Sequence, residues 1–169
     1  ACFGVAGPVV EAESKITNLT WHVSREQIKT AFGFSHVELV NDLTATAMAI
    51  PVLKENELFA LNSGASTQDH NLALIAPGTG LGQAIIIYQD GRFTPVSSEG
   101  GHADFAPNSE AQMELWHYLH RQHGHVSVER VISGSGLVNI YNWFKDTGQL
   151  IEPAWLTKKL AQMDPARAI

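Results

Sequence analysis

Asn41-Asp42 fall between an apolar run of strand type, residues 37–40, and a helix-like stretch, residues 43–50, that Pro51 breaks. In α/β folds the groups that meet ligands lie outside the carboxyl ends of the strands. An Asp at such a point can accept the proton of a hydroxyl that attacks a phosphoryl group, and an adjoining Asn offers both a donor and an acceptor. The pair also suits plain capping of the helix, by either residue or by Thr44. Capping needs one polar residue, and here there are two.

A second candidate is the loop Gly78-Thr79-Gly80-Leu81-Gly82, set between two apolar strands. Its backbone N–H groups could line an anion-binding concavity, with the Thr79 hydroxyl added. No Gly-Lys-Ser/Thr follows, so it is not a Walker loop. A strand rather than a helix comes next, so it is not a dinucleotide fingerprint. A glycine-rich hairpin or bulge is the competing reading.

Glu99-Gly100-Gly101-His102 places a carboxylate and an imidazole at the two ends of a tight turn. Carboxylates accept from vicinal hydroxyls and a neutral His both donates and accepts, so a polyhydroxylated ligand suits them. No metal is assigned, because Cys2 is the single cysteine and no second ligand pair of recognised spacing occurs. Glu129 follows Ser127 in the first turn of a short predicted helix and by itself is ordinary helix-start charge. His117, His120 and His123 occupy the last turns of another, where the helix dipole favours a partly cationic imidazole, and they read as surface residues. Ser133-Gly134-Ser135-Gly136 lacks the Gly-x-Ser-x-Gly pattern and reads as a turn.

The elements that must hold these groups are legible in outline. Residues 1–6 predict a buried strand and 9–13 a return strand; Ser24 and Gln27 form a capping box for a helix that stops at Gly33. A polar segment, 62–71, precedes a meander of strands near 72–76, 84–88 and 93–96, with a turn at 89–92. Helices follow over 109–122, 127–132, 137–145 and 153–162. The chain is expected to cross between lobes near Pro51, giving parts at 1–52 and 53–169.

The 169 residues, 44% of them apolar and 17% charged, are enough for one ordinary domain or pieces of two. A formal charge of −6 disfavours nucleic acid and anionic membranes as partners. The apolar runs are too short to span a bilayer, and one cysteine suits a reducing cytoplasm, so a cytoplasmic protein is expected.

Read together, the ordered segments resemble the bacterial glucokinases, within the hexokinase, actin and heat-shock ATPase superfamily. The resemblance is carried by residues 4–8, 17–21, 33–36, 41–45, 78–82, 99–107 and 124–137. It implies an α/β, actin-like (ribonuclease H-like) fold in a two-lobed sugar kinase: residues 1–52 in the smaller lobe, 53–169 in the larger, and glucose in the cleft. The implied reaction transfers the γ-phosphoryl group of ATP, with Mg²⁺, to the 6-hydroxyl of glucose. In the family pattern Asp42 matches the catalytic base; Asn41, Glu99, His102 and Glu129 match sugar contacts; and Gly78, Thr79 and Gly80 match the second phosphate loop. ATP as the phosphoryl donor is the family expectation, a homodimer is compatible with it, and a non-catalytic sugar-sensing regulator of the same fold is the alternative. Ser98 and Ser135 stand where relatives often carry Gly and Pro. The family's first phosphate loop, with a carboxylate that helps hold Mg²⁺, is expected before Ala1 and its adenine-side glycines beyond Ile169. The isolated chain is therefore expected to catalyse poorly.

Overall fold

A computed structural model describes residues 1–16, 19–62 and 70–169. Most of the polar segment read over 62–71, and Thr17 and Asn18 of the resemblance, lie outside the described residues. Strand β1 (Cys2–Val5) is apolar on its inner face and pairs in parallel with a strand far along the chain, as described below. The expected return strand at 9–13 does not fold back on it. Glu11 and Ala12 take positive φ values of 50° and 64°, reversing the chain so that β2 (Val9–Val10) pairs antiparallel with β3 (Glu13–Lys15), and β3 with β4 (His22–Ser24). Helix α1 (Arg25–Phe32) begins after Ser24 and ends at Gly33, whose φ of 66° is the left-handed stop a glycine supplies. The capping box is not formed, because the Ser24 side chain makes no capping bond.

Strand β5 (Glu38–Asn41) is the parallel partner of β1, with Val5 opposite Asn41, and runs straight into α2 (Asp42–Ala49). Gly4 lets the strand approach this helix: a Cβ there would lie 3.2 Å from the Ala45 methyl. Val5, Val37 and Leu39 form the core here, with Phe3, Val9, Val23 and Ile28 packed around them. Strands β6 (Leu72–Pro77), β7 (Leu81–Gln89) and β8 (Arg92–Ser98) make a sheet in chain order, the expected meander. Asp90 and Gly91, with φ of 52° and 75°, form the two-residue turn favoured between twisted strands. Ala84 and Ile86 of β7 pack with Ala47 of α2.

The chain divides into two compact units. One comprises Ala1–Leu74 and Ala84–Ser97; the other comprises Ile75–Gln83 and Ser98–Ile169. In the second unit α3 (Glu110–His123) is capped by Ser109, whose hydroxyl accepts from Gln112 N–H at 3.3 Å. Helix α4 (Gly134–Asp146) starts three residues before the apolar pattern suggests, since Ser133 caps it through Gly136 N–H at 2.9 Å. The segment read as a turn is thus a helix start, and Gly136 is small there because it lies against the Val131 carbonyl. Leu115, Leu119, Val126 and Trp143 form the core between α3 and α4. Helix α5 (Ala154–Leu160) follows Pro153. A last helix, α6 (Pro165–Ala168), has Asp164 as cap and proline in its first turn; its few residues carry no apolar periodicity by which to find it.

Glu152 ties α4 to α5. Its carboxylate accepts from Thr157 Oγ1 at 2.6 Å, from the Tyr141 hydroxyl and from Lys145 Nζ at 2.9 Å. These bonds, that from Thr157 first, hold the Glu152 pKa down at about 2; burial, then the bond to Glu152, pushes Tyr141 up to about 12. A carboxylate with a depressed folded pKa stabilises above its unfolded value and loses that contribution as pH falls through the folded one. Urea unfolding is therefore expected to show stability falling between about pH 4.5 and pH 2. Glu152→Gln should be less stable at pH 7 and should lack this part of the acid dependence; superimposable profiles would contradict the assignment.

Candidate active site

In the first unit the side chains of Asn41 and Asp42 divide the labour that the sequence leaves open. Asn41 is the cap: its Oδ1 accepts from Leu43 N–H at 3.0 Å and Thr44 N–H at 3.3 Å, while Nδ2 donates to the Gly7 carbonyl at 3.2 Å. Only one Nδ2 hydrogen is left to reach a ligand. Asp42 is the first helical residue, half-buried, and its Oδ1 also accepts from Leu43 N–H, at 2.9 Å. Its Oδ2 has no hydrogen-bond partner among the described residues. Asp42 thus sits at the carboxyl end of a parallel strand with one free carboxylate oxygen, the arrangement a general base requires.

The second unit gathers the remaining candidates. Gly78 N–H donates to the Gly80 carbonyl at 2.8 Å, closing the loop, and Gly134 N–H donates to the Gly78 carbonyl at 2.7 Å, fixing the loop to the start of α4. Thr79 and Gly80 N–H have no partner among the described residues, leaving two adjacent donors for an anion. Glu129, in a 3-10 turn at Val128–Arg130, reaches the loop from the side: its Oε2 accepts from Leu81 N–H at 2.8 Å. Its other oxygen lies 3.9 Å from His102 Nδ1, and His102 Nε2 lies 3.7 Å from Glu99 Oε2. Both separations exceed hydrogen-bonding distance, leaving the imidazole and both carboxylates able to turn to a ligand. The side chains grade from Glu129, 28% exposed, to Glu99, 85% exposed.

What brings His102 to Glu129 is a backbone clasp. Val128 N–H donates to the Ala103 carbonyl and Phe105 N–H to the Val126 carbonyl, both at 2.9 Å. The His125 imidazole pairs with Asp104 at 2.7 Å across the same clasp. The turn before it needs its glycines for space, since Gly101 is buried against the Leu81 carbonyl.

A cavity of about 730 Å³ opens beside the loop, lined by Gly78, Thr79, Gly134, Ser135, Asn139 and Arg167 among others. That volume is in the range of small-molecule sites. The residues of α4 and α6 in it escape the sequence reading; the Asp164-Pro165 helix-start pair is the signal that could have drawn attention to the second. The histidines of α3 take no part. His120 stacks on Trp116 with centroids 4.5 Å apart. The expected cationic tendency is reversed at His123, whose pKa is lowered by burial and by nearby Arg130. Among the described residues no group of three or more His, Cys, Asp or Glu is placed to hold a metal ion. No described helix is long and apolar enough to cross a membrane.

The glucokinase family model matches residues 1–168. Glucokinases of Salmonella arizonae and Salmonella newport are each 44% identical over 140 residues, covering 83% of this chain and 44% of theirs. The chain thus spans less than half the length of the curated relatives it matches. Among solved structures, a glucokinase from an Antarctic psychrotroph is 31% identical with a TM-score of 0.76, over 99% of this chain and 54% of that one. A Balamuthia mandrillaris glucokinase in complex with glucose, 21% identical over 99% of this chain and 51% of that one, shares the fold at a TM-score of 0.73. A free carboxylate at a strand end, an acid–imidazole cluster held against a glycine loop and matches along almost its whole length lead to one assignment: the chain belongs to the glucokinase family.

Proposed function

We propose that the protein of which this sequence forms part or all transfers the γ-phosphoryl group of ATP to the 6-hydroxyl of glucose, giving glucose 6-phosphate and ADP. The observation that carries the reading is the junction in the second unit, where Glu129 lies against both His102 and the glycine loop. A sugar-type donor and acceptor set there adjoins an anion-type backbone cradle. In this reading Asp42 accepts the hydroxyl proton as the oxygen attacks. Glu99, His102 and Glu129 hold the sugar hydroxyls, and the remaining Asn41 amide hydrogen adds a donor. Gly78, Thr79 and Gly80 hold the phosphates, and the cavity between the loop, α4 and α6 takes the rest of the nucleotide. Mg²⁺ arrives on the phosphates as Mg-ATP, where it offsets their charge, and no residue of this chain is assigned to it. The composition and single cysteine support a cytoplasmic setting.

Calorimetric titration with glucose tests the sugar site. Glu99→Ala and His102→Ala should each weaken binding by about 10- to 100-fold, the value of a hydrogen bond to a charged or strongly polar partner. An unchanged Kd in both variants would overturn their contact role.

A further inference from the structure

Glu129 touches more than a sugar contact needs to touch. One of its oxygens accepts from Leu81 N–H at 2.8 Å, at the point where the glycine loop becomes β7. The fit is close: a Cβ placed on Gly80 would lie 2.5 Å from Glu129 Oε2 and 3.2 Å from its Cδ. Gly80 has no positive φ to demand a glycine, and the Glu129 carboxylate is what a side chain there would meet. The other oxygen faces His102 at 3.9 Å. One carboxylate therefore braces the loop with one oxygen and looks toward the sugar-type cluster with the other.

We propose that Glu129 is a positioning residue that couples the two sites: it holds the glycine loop for the nucleotide phosphates, and its orientation depends on whether the sugar engages its second oxygen. The inference rests on the sugar-kinase reading, and takes from it the two ligands. A sugar that fixes the carboxylate removes the freedom it would otherwise lose when the loop closes on phosphate. Glucose then tightens nucleotide binding and the nucleotide tightens glucose binding by the same factor.

The test uses glucose and ADP as probes, titrated singly and together into the full-length protein that contains this sequence and into three variants of it. Wild type should bind ADP about fivefold or more tightly with glucose present. Glu129→Ala should weaken ADP about tenfold and abolish the synergy, whereas Glu129→Gln, which keeps an oxygen for Leu81 N–H, should recover most of the ADP affinity but not the glucose affinity. Gly80→Ala is the independent arm. Its methyl meets the movable end of Glu129 rather than backbone, so the fold should survive, with an unchanged melting temperature, while glucose binding weakens about tenfold although residue 80 is assigned no sugar contact. Gly80→Ala with wild-type glucose affinity, or Glu129→Ala with wild-type ADP affinity, overturns the coupling alone. A wild-type full-length protein that binds no glucose overturns the sugar-kinase reading and this inference with it.

Discussion

Replacing Asp42 by Ala is expected to lower kcat for glucose phosphorylation by about two to four orders of magnitude, the range for loss of a general base. That is about 3–5 kcal/mol of transition-state stabilisation. Glucose affinity should move by a few-fold at most. The structure explains why the loss should be catalytic rather than structural. Asn41 already accepts from both Leu43 and Thr44 N–H groups, so the helix start does not depend on Asp42. Asp42→Asn sharpens the experiment, since an amide oxygen can still accept from Leu43 N–H while the base is gone. A fall in kcat at constant KM in both variants is the signature of an interaction made only in the transition state. Near-normal turnover in either would remove Asp42 from the mechanism.

The second large effect is expected at Gly101. A Cβ there would run into the Leu81 carbonyl and lie 3.2 Å from the Leu81 side chain. Because the obstacle is backbone at the base of the glycine loop, it cannot turn aside as a flexible side-chain tip can. Gly101→Ala should cost about 1–3 kcal/mol in chemical unfolding, the usual range for overpacking. It should also weaken glucose binding by displacing Glu99 and His102 on either side. Gly78→Ala is the control for stability, with open space where its methyl would go. Equal stability of the two variants would show that the turn does not pack on the loop as described.

The fold and site were unequally legible in the sequence. Features governed by a few neighbouring residues could be read directly. Ser109 caps α3 and Gly33 ends α1 in the left-handed conformation; Asp90-Gly91 turn the hairpin. Each depends on local dihedral preference or on one side-chain-to-backbone bond, so the residue type carries the information. The strand-to-helix passage at Asn41-Asp42 was equally clear, although which residue caps was not. The return strand at 9–13 failed as a reading because an apolar alternation states that a strand has a buried face without naming its partner. The partner of β1 is β5, more than thirty residues on.

The tertiary structure decided what the sequence left symmetrical. Glu129 reads as helix-start charge, and the family pattern matches it to a proposed sugar contact. Only the clasp between residues 103–105 and 126–128 brings it to His102 and to Leu81 N–H together. Gly80 and Gly101 look alike in the sequence as flexible glycines, yet each is small because another group occupies the space of its missing side chain. Residue types and their order determined the available chemistry, since an acid, an imidazole and bare backbone N–H groups are properties of the residues themselves. Which of them share one site was set by long-range hydrogen bonds and steric exclusion, whose partners lie tens of residues apart and leave no periodic trace along the chain.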